Sequence, residues 1–295
     1  MKRLTRREFG QSLGLPLIRS TSVLPLLKLM KTPNSVINGV QIGIQSYSFR
    51  DRSFDSMVAA VAGVGINSCE LWSGHVQPSG LDKENRTRWR LETPLSQIEK
   101  LGSRLSDAGI ELNAFYYDFS KNMDDPEIER GFLMARALGT KVVTSSSNPS
   151  ISKRVDHFAQ KYRIRVGMHN HPQEGRSDEF GGPKDFAAAM QGCSQYICVN
   201  LDVGHFVAAG YDPVKYILEN NSRIVTLHLK DRKRGLGRES PTVKFGTGDT
   251  PIREVLRLLR ENRYKIPENI EHEIKEQDPM KGVQESLEYC RQALA

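Results

Sequence analysis

Four places in this 295-residue chain join an apolar run to residues that can hold a metal or move a proton. Val199-Asn200-Leu201 stops at Asp202, with Gly204 and His205 just beyond. Ile164-Arg165-Val166-Gly167-Met168 runs into His169-Asn170-His171. Ile224-Val225-Thr226-Leu227 runs into His228, and Lys230-Asp231 follow. Asn269-Ile270 runs into Glu271-His272-Glu273. A short apolar run is how a buried parallel strand reads. In a barrel of such strands, the C-terminal strand ends build the site. Four consecutive strand ends then present His169, Asp202, His228 and Glu271. Imidazoles mixed with carboxylates suit one divalent ion of intermediate hardness, such as Mn, Co, Zn, Mg or Fe. A lone histidine at a strand end is more often just hydrogen-bonded. Four ligand types in succession are different, because burying them unpaired is costly and a shared cation relieves that cost.

The elements that must position this ring alternate β then α, eight times. Strands are expected near 40–47, 66–72, 110–116, 141–144, 163–168, 196–201, 224–227 and 269–270. Helices are expected over 54–61, 93–108, 126–138, 151–162, 183–190, 212–220, 251–262 and 280–294. Thr93 reads as a helix N-cap, Gly109 and Gly139 as stops. Residues 73–92 read as a polar loop and Gly204 as a turn. Parallel strands require crossover helices, and eight such units fit an α/β chain closed as a (β/α)8 TIM barrel. An open doubly wound sheet is the rival, but no G-x-G-x-x-G follows the first strand.

The net charge of +7 belongs to the leader. Residues 1–35 hold seven basic side chains against Glu8 alone; removing them from the 42 basic and 35 acidic residues leaves a net of +1. A near-neutral domain lacks the electrostatic footprint of a nucleic-acid binder. No apolar stretch is long enough for a stable membrane span. Cys69, Cys193, Cys198 and Cys290 form no C-x-x-C pair, so neither a zinc ribbon nor a disulfide framework is expected. Thr5-Arg6-Arg7-Glu8-Phe9, followed by a moderately apolar stretch over 13–27, resembles a twin-arginine export signal. Arg19 interrupts that stretch and no A-x-A site follows it. The expectation is a leader over 1–36, a barrel over 37–295, and a periplasmic or exported location, with a cytoplasmic one as the alternative.

From residue 41 to about 294 the chain resembles the xylose isomerase-like TIM barrels, the sugar phosphate isomerase/epimerase family. The resemblance rests on six stretches: 66–72, His169-Asn170-His171, Asp202-Val203-Gly204-His205, His228-Leu229-Lys230-Asp231, Gly246-Thr247-Gly248-Asp249 and Glu271-His272-Glu273. It implies one divalent ion at the barrel mouth, held by Glu, Asp, His and Glu at successive strand ends. The last three fall on Asp202, His228 and Glu271. The first falls on His169, a departure from the acidic pattern.

The same resemblance implies a divalent-metal-dependent isomerase or epimerase that abstracts a proton α to a carbonyl on a keto-sugar or related small carbohydrate. Glu271 is expected as base, with His205 and Lys230 as further catalytic candidates. Substrate contacts are expected from Glu70, His75, Asn170, His171, His205 and Lys230. Because His169 replaces one of two glutamates, elimination is an alternative: a lyase or dehydratase acting on a 3-keto-glycoside or inositol ketone. A non-catalytic sugar-binding barrel is the alternative of another class. A DNA-repair nuclease of this fold would need more ligands and a basic face. The loop 246–249 offers backbone amides to an anion, Lys230-Asp231 reads as an internal salt bridge or a substrate contact, and Arg232-Lys233-Arg234 reads as a solvated loop. Trp72, Phe115, Tyr116 and Tyr117 divide between core packing and stacking on a sugar face.

Overall fold

The computed structural model describes residues 33–172, 178–275 and 277–295. The expected leader lies, through residue 32, outside the described residues. Eight parallel strands close on themselves: β1 (Val40–Gln45), β2 (Ser68–Trp72), β3 (Glu111–Tyr116), β4 (Val142–Ser145), β5 (Arg165–His169), β6 (Ile197–Asp202), β7 (Ile224–Leu229) and β8 (Glu268–Ile270). Neighbours in sequence are neighbours in the sheet, and β1 pairs with both β2 and β8. The expected (β/α)8 barrel is therefore the observed fold. A short strand, Val36–Ile37, pairs antiparallel with the start of β1.

The strands carry two kinds of residue on two faces, because successive side chains point oppositely. Ile42, Ile44, Leu71, Val143, Val166, Val199, Leu201, Leu227 and Ile270 are fully buried in the hydrophobic core. They share it with residues of helices such as α9 (Ile252–Asn262) and α10 (Pro279–Leu294). Each such side chain contributes roughly 1.5–3 kcal/mol by leaving water. The barrel lumen is polar instead. Asn113 Nδ2 donates to Ser68 Oγ at 2.8 Å and to Asn269 Oδ1 at 2.9 Å, and Thr226 Oγ1 donates to Asn200 Oδ1 at 2.8 Å. Polar groups in this position are stable only when bonded to one another, and here they are.

The remaining helices are α1 (Phe54–Gly63), α2 (Lys83–Glu92), α3 (Leu95–Asp107), α4 (Asp125–Leu138), α5 (Ser152–Tyr162), α6 (Pro183–Met190), α7 (Val203–Ala208) and α8 (Pro213–Asn220). Two depart from expectation. The stretch read as a polar loop contains a 3-10 turn, Ser73–His75, and α2. That helix is charged on nearly every face, so it shows no apolar period; its only sequence mark is Asp82, whose carboxylate accepts from the Asn85 amide at 2.8 Å. Thr93 closes α2 rather than capping α3: its hydroxyl donates to the Trp89 carbonyl at 2.6 Å. The turn read at Gly204 is the start of α7. Gly139 ends α4 as expected, at φ +90°. All four cysteines are free; Cys69, Cys198 and Cys290 are buried. Among the described residues, no helix is long and apolar enough to cross a membrane.

Candidate metal centre and active site

His169 ends β5, Asp202 ends β6, His228 lies on β7, and Glu271 follows β8 directly. Asp202 and His228 are level with each other across β6 and β7. One ligand atom each from His169, Asp202 and His228 lie within 4.8 Å of one another. Glu271 joins at the side, its Oε2 3.0 Å from His228 Nδ1. All four side chains are buried, yet His169 Nδ1, Asp202 Oδ2, His228 Nδ1 and Glu271 Oε2 lack a hydrogen bond. The His228–Glu271 pair has the distance of an ion pair without the alignment of a hydrogen bond. Lys230 Nζ faces the two carboxylate oxygens at 3.1 and 3.0 Å as a charge only; a buried polar atom without a hydrogen bond costs roughly 1–3 kcal/mol, and four around one space fit a shared cation. Two imidazoles and two carboxylates are a donor set for zinc, manganese or cobalt. A second trio, His169, His171 and His205, is equally close, but it holds no carboxylate, and Arg232 Nη1 stands at its His205 Nδ1.

Behind the ring stands Glu70, fully buried. Its Oε1 accepts from Gln45 Nε2 at 2.7 Å and Thr144 Oγ1 at 2.6 Å, and its Oε2 from His228 Nε2 and Asn269 Nδ2, both at 2.9 Å. Every lone pair is in use, so Glu70 is not free for a substrate hydroxyl. It fixes the ring of His228 and turns Nδ1 toward the centre, as a carboxylate behind a metal-binding histidine does. Asn170 likewise has protein partners. It clamps the Asp202 backbone, donating to the carbonyl at 3.1 Å and accepting from the amide at 2.9 Å. His75 anchors a loop, with Nδ1 3.0 Å from Ser46 Oγ and Nε2 3.1 Å from the Phe49 carbonyl.

The glycines of the motifs have steric reasons. A Cβ on Gly204 would stand 2.5 Å from the Lys230 carbonyl, so only glycine lets α7 approach β7. That approach lets Asp202 cap α7, its Oδ1 accepting from the His205 amide at 2.7 Å while Oδ2 faces the centre. The loop 246–249 does hold an anion, but it is the protein's own. The amides of Gly246, Gly248 and Thr250 donate to the Asp231 carboxylate at 2.8, 2.9 and 3.1 Å. A Cβ on Gly248 would meet Asp231 Oδ1 at 2.0 Å. Lys230 and Asp231 are thus not a salt bridge: Asp231 goes to this loop and Lys230 to the centre. Arg232, read as solvated, is buried, with Nη1 2.5 Å from His205 Nδ1.

Above the ring is a cavity of about 250 Å³. Its far wall is Gln45, Tyr47, Trp72, Tyr116 and Ser146; its near wall includes His171, His205, Lys230, Glu271 and Glu273. Of the four candidate aromatics, Trp72 and Tyr116 line it, while Phe115 and Tyr117 are core. Gln45, Tyr47, Ser146 and Glu273 were not legible as site residues, although each lies at a strand end or just past one. A larger groove, about 510 Å³, lies between α10 and residues 242–247 and meets the ring only at Glu271.

Charge in the site is set by contact. Burial pushes the Lys230 ammonium pKa down, but Asp202, Glu271 and Glu273 push it further up, and it stays charged. Burial raises the Glu271 carboxyl, yet Lys230 and His228 outweigh this and hold it well below the usual range, ionised. Burial also lowers His228, but Glu70 and Glu271 carry it well above its ordinary value. His169 and His205 are driven well down, first by burial, and His171 to about 4 by burial and then Lys230. These three imidazoles keep lone pairs at neutral pH.

A closed parallel barrel with its polar ring at the C-terminal strand ends defines a class of small-molecule enzyme sites. Residues 58–293 match the profile of the xylose isomerase-like TIM barrels, and the chain belongs to that family. It is 26% identical over 193 residues to the 3-oxo-isoapionate decarboxylase of Pectobacterium atrosepticum. That match covers 60% of this chain and 66% of the decarboxylase, just under two thirds of its length. Solved structures share the fold at low identity. An L-ribulose 3-epimerase superposes with TM-score 0.64 at 15% identity, over 86% of this chain and 94% of its own. The probable 3-DHS dehydratase AsbF of Bacillus anthracis gives 0.63 at 14%, over 84% and 98%. The IOLI protein with a zinc atom gives 0.65 at 12%, over 86% and 98%.

Proposed function

We propose that this chain is a divalent-metal-dependent isomerase or epimerase that removes a proton α to the carbonyl of a keto-sugar or related small carbohydrate. The supporting observation is the set of four buried atoms without a hydrogen bond, on His169, Asp202, His228 and Glu271, beneath a cavity of about 250 Å³. A divalent ion held by these residues would supply a Lewis acid that polarises the carbonyl. The chain's own groups do the rest. Glu271, held ionised, is the base that takes the proton. Lys230, on the cavity wall beside Glu273, stabilises the negative charge that develops on substrate oxygen. His205 and His171 face the cavity as hydrogen-bonding partners of substrate hydroxyls. Tyr47 and Trp72, packed edge to face at 5.0 Å, bound the opposite side and keep water from it.

A second reading is favoured by one feature. The family resemblance implies a first glutamate where this chain has His169, so on this reading a carboxylate base stands on one face of the substrate only. Returning a proton to the other face then falls to a weaker acid. Expelling a leaving group instead gives a lyase, and a decarboxylase and a dehydratase are among the proteins this chain is similar to. The experiment separates the two. The protein, loaded in turn with Mn²⁺, Co²⁺ and Zn²⁺, is incubated with keto-sugars, 3-keto-glycosides and 3-keto acids in deuterated water. Deuterium at carbon with no lost substituent supports isomerisation. Release of water, aglycone or carbon dioxide supports the lyase. Neither, from a metal-loaded sample, refutes both.

A further inference from the structure

Lys230 occupies an unusual place. Its Nζ is buried, 3.1 Å from Asp202 Oδ2 and 3.0 Å from Glu271 Oε2, the same two oxygens offered to a metal. Neither oxygen gains a hydrogen bond from it, so the contact is one of charge and not of direction. Nζ is also 3.2 Å from His205 Nε2, while Arg232 Nη1 stands at His205 Nδ1. A neutral imidazole has one lone pair, so one of these two cations meets an N–H. Arg232 is tied down by the Ser240 and Arg238 carbonyls; Lys230 is on a flexible stem. Its shortest contact is elsewhere, 2.7 Å to Glu273 Oε2, and Glu273 lies outside the ligand quartet with a side chain 30% exposed.

We propose that Lys230 is a resident counter-cation that competes with the divalent ion for Asp202 and Glu271, and that metal loading shifts its ammonium onto Glu273. The inference rests on the metal reading above. An ammonium and a divalent ion sharing two carboxylates a few ångströms apart repel strongly in a buried site. The lysine can leave; the ligands cannot. Its presence lets buried carboxylates fold without metal, because an uncompensated buried charge is strongly destabilising. The consequence is a weaker metal site than the ligands alone would make, and a lysine that is already moved beside Glu273 when substrate arrives. Displacement also frees His205 Nε2 from the cation it faces.

The test is calorimetric titration of the chelator-stripped full chain with Mn²⁺, comparing wild type, Lys230→Met and Glu273→Gln. Lys230→Met should bind Mn²⁺ at least about tenfold more tightly, since a like charge beside the ion is gone. Its thermal midpoint without metal should fall below that of wild type, and saturating Mn²⁺ should close the gap. Glu273→Gln keeps the lysine but removes its refuge, and should bind Mn²⁺ more weakly than wild type; this variant carries the test if Lys230→Met does not fold. Wild type that binds Mn²⁺ with neither variant shifted in these directions overturns the competition alone. Failure of wild type and both variants to bind Mn²⁺ overturns the competition and the metal reading together.

Discussion

Glu70→Gln changes one buried atom and should disable the centre without touching a ligand. Glu70 takes four hydrogen bonds on two oxygens, from Gln45, Thr144, His228 and Asn269. Glutamine keeps the shape but turns one oxygen into a donor. Two of the four partners then face donor to donor. Each such loss costs roughly 1–3 kcal/mol, so about 2–6 kcal/mol together. This brackets the roughly 3–5 kcal/mol expected for breaking a buried ion pair on one side. Rearrangement gives little relief: Gln45 cannot flip freely, because its Oε1 accepts from the Tyr47 amide at 3.2 Å. The ring of His228 then loses the acceptor that directs Nδ1 to the centre, and metal affinity should fall about 10- to 100-fold. Urea unfolding of the stripped protein reads the first effect, and calorimetric titration with Mn²⁺ or Zn²⁺ the second. A Glu70→Gln protein that unfolds at the wild-type urea concentration and binds metal equally well would refute the positioning role.

Glu271→Gln should abolish deuterium exchange into substrate, by at least about 10²-fold as expected for a lost general base, while circular dichroism remains that of wild type; exchange near the wild-type rate would name another base. Gly204→Ala forces a Cβ to 2.5 Å from the Lys230 carbonyl, and should cost roughly 1–3 kcal/mol in denaturant unfolding as overpacking does; an unchanged midpoint would show that α7 has room to move. Glu268 is fully buried with both carboxylate oxygens unbonded, and burial raises it well above its ordinary 4.5. Between 4.5 and that raised value the unfolded chain releases this proton while the fold keeps it, so wild-type stability falls as pH rises. Glu268→Met should therefore be the more stable protein at pH 8, its advantage shrinking by up to about 1.4 kcal/mol per pH unit toward acid; a pH-independent difference in urea unfolding would contradict this.

The residues of the candidate site can be named from the sequence because ligand-type side chains fall at the punctuation of the pattern. His169, Asp202, His228 and Glu271 could be read from apolar runs that stop, since strand ends in a barrel all face one mouth. The residues that the structure ties to other protein groups share one cause. Glu70, Asn170 and His75 have the right types at the right ends, but whether a polar group meets substrate or another protein group depends on what stands opposite. For Glu70 those partners are 25, 74, 158 and 199 residues away. The helix α2 escaped notice because a charged helix has no apolar period. Arg232 looked solvated because its partners, His205 and the carbonyls of Arg238 and Ser240, come from separate segments.

The sequence by itself determined the alternation of strand and helix, the closure into eight units and the four residues at consecutive strand ends. Those follow from local period and from the handedness of parallel crossovers. The tertiary structure alone decided which polar groups support the ring and which face the cavity. It alone placed the Asp231 carboxylate on the loop amides and the Lys230 ammonium between Asp202, Glu271 and Glu273. Pairing in a buried lumen is settled across the barrel, by distances that spacing along the chain does not carry.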